Sequence, residues 1–176
     1  MLGLLCVHRP EDPIPFRLDQ TAIGQLLLLN SMIQHISDGQ QLLAIVVSHK
    51  FNDAGIHFVT PDELPQQVGF MRYPAGKSIQ PHSHKPVPRQ INSTQETLFI
   101  RKGKLRVDFY DSRENLVESR TLVAGDVIML IAGGHGFEVI EEIEMIEVKQ
   151  GPYFGDQERV RFTATPSGRA KTHEEN

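Results

Sequence analysis

Several things are nearly absent from this chain, and each absence removes a class of function. There is one cysteine, Cys6, so no internal disulfide framework can form, and no Cys-x-x-Cys pair offers a structural zinc or a redox couple. Basic charge is not in excess: 18 Lys and Arg face 22 Asp and Glu, giving a formal net charge of −4 and a pI near 6.0. No field of that sign draws a chain onto nucleic acid or an anionic bilayer. Long apolar runs are missing too. Leu2 to Val7 and Leu26 to Leu29 fall far short of the roughly 20 residues that cross a bilayer, and no basic residue precedes the first run as in a signal peptide. The expectation is a cytoplasmic protein in a reducing compartment, with neither nucleic acid nor membrane as partner.

What is present is alternation. From Gln67 to Gln150 the chain breaks into short segments of period two, punctuated by Gly, Asp, Asn and Pro, and no convincing helix interrupts them. Leu105, Val107 and Phe109 alternate with Arg106, Asp108 and Tyr110, and the run ends at the turn-rich stretch Asp111 to Asn115. Further strands are predicted at Gly69–Tyr73, Ser78–His82, Thr94–Arg101, Leu116–Leu122, Val127–Leu130, Phe137–Ile140 and Ile143–Lys149. Gln41–Ser48 and Ile56–Thr60 are β-branched enough to extend the same sheet. The fold class is therefore all-β, an antiparallel sandwich or barrel over residues 39–163.

The flanks read differently. Residues 1–38 form an N-terminal extension in which Asp19–Ile36 carries Ile23, Leu26, Leu27, Met32 and Ile33 near helical spacing. That stretch predicts an amphipathic helix, or else lies upstream of a native start at Met32. Residues 164–176 are polar with no apolar period, the composition of a mobile tail.

The chemistry concentrates in three histidines and a glutamate. On a strand, His82 and His84 would project from one face. Glu96 shares parity with Leu98 and Ile100, which predicts a carboxylate on a buried face, where it would be costly without a counter-charge. A divalent ion using imidazoles as neutral donors would resolve that cost. A lone His-x-His is weak evidence, so spacing must carry the claim.

The spacing reads Gly76, five residues, His82, one residue, His84, eleven residues, Glu96, six residues, Gly103. It resembles the first motif of the cupin superfamily, and Gly125 to His135 resembles the second, the likeness spanning roughly residues 67–150. Four departures stand out: a longer gap between His84 and Glu96, Ile131 for the usual proline, His135 one residue early, and Ile140 near the place of an asparagine. The extra length falls in Lys85 to Ser93, and loop-closure entropy grows only slowly with length.

The resemblance implies a single jelly-roll-like cupin barrel, often a homodimer through its N-terminal strands. It also implies one divalent transition metal (Fe, Mn, Ni, Co or Zn) held by His82, His84, Glu96 and His135. Open positions on such an ion serve either Lewis-acid chemistry or O₂ chemistry. Glu96 and Tyr73 are the candidate catalytic side chains, and Arg72, Lys85 and Arg89 are candidate clamps for an anionic substrate. Three functions follow: a metalloenzyme acting on a small polar or anionic molecule such as a sugar phosphate or nucleotide sugar, an Fe(II) dioxygenase, or a non-catalytic metal or ligand sensor.

Overall fold

A computed structural model describes residues 32–164 and 171–173. The strands are β1 (Ile33–Asp38), β2 (Gln41–Val47), β3 (Gly55–Phe58), β4 (Gly69–Arg72), β5 (Glu96–Tyr110), β6 (Leu116–Val123), β7 (Val127–Leu130), β8 (Gly134–Lys149) and β9 (Lys171–His173), with a 3₁₀ turn at Gly155–Glu158. The fold is all-β. Its main sheet runs β1-β2-β7-β5-β6-β9, with β8 along the other edge of β5, while β3 and β4 pair by themselves. Among the described residues no helix is long and apolar enough to cross a membrane.

β5 organises the sheet. Its first residues, Glu96–Phe99, pair with β7, its last, Lys104–Tyr110, pair with β6, and β8 runs antiparallel along the opposite edge from Glu96↔Lys149 to Tyr110↔Gly134. Two of the separate strands expected from sequence are thus one, Glu96–Tyr110, and two more are Gly134–Lys149. Sequence reading stopped the strands at Gly103 and at the Glu141-Glu142 pair because these are bulges, where the β5–β8 register shifts between Ile100 and Leu105.

The bulge changes parity. Leu98 and Ile100 share one parity, Leu105, Val107 and Phe109 the other, yet all five are buried in a single core cluster with Ile36, Leu43, Leu122, Ile128 and Leu130. Only a residue inserted into the alternation lets both halves face one core. Gly103 supplies it at φ 84, where a Cβ would sit 1.9 Å from the Glu142 carbonyl oxygen. The sheet therefore curls into an antiparallel half-barrel. A smaller cluster of Ile45, Met129 and Ile131 lies on the reverse face, covered by Val59, Leu64 and Val68.

Asp126 fastens the β6–β7 turn. It is 5% exposed and accepts from the backbone N–H of His49 at 2.8 Å and of Val123 at 2.8 Å, with His49 Nδ1 also at 2.8 Å. The Gly125-Asp126 pair of the second sequence motif is thus a structural staple.

Several expectations need correction. Ile33–Ile36, the end of the predicted helix, is strand: its residues pair with Ala44–Val47 of β2, and that pairing overrides helical periodicity. The rest of that helix, residues 19–31, lies outside the described residues. Ser78–His82 is not a strand, and residues 73–95 form none. Pro74, Pro81, Pro86 and Pro88 remove ladder donors, and every residue from Pro74 to Thr94 is exposed. β3 joins β4 and not the main sheet. On β3, His57 packs edge-on against Phe51, while Ile56 and Phe58 are exposed at 52% and 60%. The predicted tail falls largely outside the described residues, but Lys171–His173 pairs in parallel with Glu118–Arg120 of β6.

Candidate functional site

Glu96 and His135 lie at opposite ends of the β5–β8 ribbon. His135 is cross-strand partner to Phe109, thirteen positions beyond Glu96, a separation of about 43 Å along a straight strand. Yet His135 Nε2 stands 3.3 Å from Glu96 Oε2. The curl set by the bulge closes that distance, so two side chains distant along the ribbon meet across the half-barrel. Gly133, at φ 71, passes so close to Tyr110 that a Cβ would sit 2.4 Å from its carbonyl oxygen, which fixes the approach of His135.

The pair opens on a cavity of about 930 Å³. One wall is the chain after β8: Phe162 stacks edge-on against Tyr110 at 5.2 Å and lies over Gly134, and Arg159 and Arg161 flank it. Asn92, Ser93 and Thr94 form another side, and Lys149 stands beside Glu96.

Lys149 is one cavity residue that the sequence pattern does not reveal. Its Nζ lies 3.6 Å from Glu96 Oε1 and 3.0 Å from Glu147 Oε1, on a side chain only 17% exposed, with the Tyr153 ring 5.2 Å away. The positive charge that a buried Glu96 requires, assigned from sequence to a metal, is here supplied by Lys149. Only the cross-strand register Glu96↔Lys149 reveals this partner, and register cannot be read from one strand's pattern. Arg159 and Arg161 were missed because they follow the last alternating segment.

The His135 contact, aided by the charges of His135 and Lys149, holds the Glu96 carboxyl below its ordinary 4.5, although burial opposes the shift. Glutamates 147 and 96 raise Lys149, the hydrogen bond to Glu147 being the main cause. A depressed carboxylate contributes stability that is fully present above its unfolded value and lost as pH falls through its folded value. Between about pH 5 and pH 3, wild type is therefore expected to lose more unfolding free energy than Glu96→Gln, measured by urea denaturation. Parallel pH profiles for the two proteins would show that Glu96 is not held in this way.

The other candidate residues lie apart. His82 and His84 sit in the exposed 73–95 segment with ring centroids 5.2 Å apart, and His82 Nδ1 faces the Gln80 carbonyl oxygen at 3.1 Å. Arg72 donates to the Asn52 carbonyl from the β3–β4 hairpin, and Arg89 to the Val87 carbonyl at 3.4 Å. Neither they nor Tyr73 and Lys85 line the cavity. The four proposed ligands thus form two pairs, and among the described residues no three His, Cys, Asp or Glu side chains gather as a metal-holding group.

No family model, curated protein or solved structure matches this chain.

Proposed function

We propose that the Glu96–His135 cavity is the ligand site of a small cupin-type metalloprotein that acts on a polar or anionic molecule. The observation carrying this reading is the 3.3 Å meeting of Glu96 and His135 across the curled sheet, at the wall of a cavity of about 930 Å³. A carboxylate oxygen and an imidazole nitrogen that converge in this way are half of a donor set suited to Fe, Mn, Ni, Co or Zn.

His82 and His84 would complete that set from the 73–95 segment. The segment is tethered at Glu96 itself and carries Ile79, Val87 and Ile91 exposed at 59%, 57% and 46%. β8 meanwhile leaves Phe137 and Val139, on the core-facing side, exposed at 43% and 56%. Packing of the segment over that face buries both apolar sets and brings the histidines toward Glu96, with Lys85 and Arg89 over the mouth. A divalent ion held there would polarise an oxygen of the bound molecule, the Lewis-acid chemistry of an isomerase, epimerase or lyase. With iron, the same donors suit a dioxygenase.

Elemental analysis by mass spectrometry of untagged protein, purified without added metal or chelator, tests the reading. Near-stoichiometric transition metal is expected. Iron directs the next assay to oxygen uptake, while manganese, nickel, cobalt or zinc directs it to sugar phosphates under nitrogen. Absence of all five would overturn the metal reading.

One observation favours a second reading. Lys149 already balances Glu96, so the cavity can hold a ligand without a metal, as a binding module or an acid–base site of Glu96 and His135.

We also propose a homodimer. Among the described residues the outer edge of β8 is unpaired, and beside it Phe99, Ile146 and Val148 are exposed on the outer face at 40%, 49% and 47%. A long open edge with apolar side chains beside it invites pairing with another chain. β1, at the end of the strand order, offers an edge of only six residues. Light scattering is expected to give twice the chain mass, falling to one chain mass in Ile146→Lys; a monomeric wild type would exclude the dimer.

A further inference from the structure

We propose that Lys149 and Arg159 form a subsite for an oxyanion, the carboxylate or phosphate group of the molecule that occupies the cavity. The inference rests on that cavity being the ligand site, and it is independent of whether a metal is bound.

Both cations line the cavity. Lys149 has three N–H donors, and its two carboxylate neighbours, Glu147 at 3.0 Å and Glu96 at 3.6 Å, leave one uncommitted. Arg159 pairs with no carboxylate among the described residues; its only hydrogen bond there is from its backbone N–H to the Asp156 carbonyl at 3.3 Å. Its five guanidinium donors are therefore available. Arg161, two residues on, differs because Asp156 holds it at 3.0 Å.

Two cations facing one cavity, an exposed Arg159 and a Lys149 that is 17% exposed, attract an anion that enters it. Of the four acidic groups lining the cavity, Glu96, Asp111, Glu114 and Glu158, two turn their oxygens to backbone donors. Asp111 accepts from the backbone of Arg113 and Asn115, and Glu158 from the backbone of Phe154. A bidentate guanidinium with one ammonium donor matches the three-point recognition that planar or tetrahedral oxyanions need.

Isothermal titration of the full chain at low ionic strength, after chelator treatment, tests the subsite with inorganic phosphate in one arm and acetate in the other. Saturable binding of at least one anion is expected, the tighter arm identifying the group. Arg159→Gln and Lys149→Gln are each expected to weaken it by about tenfold or more, and Arg161→Gln by less than about threefold. Circular dichroism and the metal content of Arg159→Gln are expected to match wild type. No saturable binding in either arm, equal binding in Arg159→Gln, or binding that appears only after metal is restored would overturn the subsite. A chain that carries no metal as purified, yet binds phosphate through Arg159, would overturn the metal reading and leave the subsite standing.

Discussion

Gly103→Ala is expected to be the most damaging single-methyl change in this protein, lowering unfolding free energy by at least about 3 kcal/mol. Two effects combine there. The backbone at φ 84 disfavours any L side chain, and the new Cβ would meet the Glu142 carbonyl oxygen at 1.9 Å and the Glu141 carbonyl oxygen at 3.1 Å. Those are backbone atoms of the paired strand, so relief requires the β5–β8 ladder to part at its bend. Gly76→Ala isolates the first effect: φ is 81, but nothing lies within 4 Å of the added carbon. It is expected to cost only about 1–2 kcal/mol. Urea denaturation of the two variants measures the difference, and equal losses would show that Gly103 is required for its dihedral alone.

The second large effect concerns composition. In the proposed metal centre, His82→Ala with His84→Ala is expected to reduce bound metal to background while leaving the urea midpoint of the chelator-treated chain unchanged. Stability is spared because both residues are exposed and the segment carrying them joins no strand. Metal is lost because Glu96 and His135 alone offer two donors where a retained transition ion needs three or four. Glu96→Gln keeps the side-chain volume and is expected to retain more metal than the double variant. Unchanged metal content in the double variant would place any ion elsewhere.

Period-two alternation located the strands from β4 through β8, whereas β2, buried along Leu43–Val47, and β3 were found by their apolar, β-branched composition. It split β5 and β8 because a bulge interrupts parity without ending the hydrogen-bonded ladder. It also placed a strand at Ser78–His82, where the apolar Ile79 suggested one and the surrounding prolines prevent it. Glu96 and His135 were legible as individual residues, through parity for the first and motif spacing for the second. Lys149 and Arg159 were not. Their roles depend on which residues lie opposite one another once the sheet has curled, and that is a property of register and bend angle, to which hydropathy is blind.

The long β5–β8 ribbon also favours one order of assembly. Its Tyr110–Gly134 end joins residues 24 apart in sequence, whereas its Glu96–Lys149 end joins residues 53 apart. Closing the shorter loop first is entropically cheaper, by about 0.7 kcal/mol, and pairing then zips past Gly103 toward Glu96. His135 is in place early, on the end that forms first, while Glu96 and Lys149 arrive with the final pairs. The two halves of the site therefore come from the first and last steps of one zipper, and the cavity becomes able to hold a ligand only when the sheet is complete. A ligand bound there reports on the whole ribbon, and would slow its unzipping from the Glu96 end.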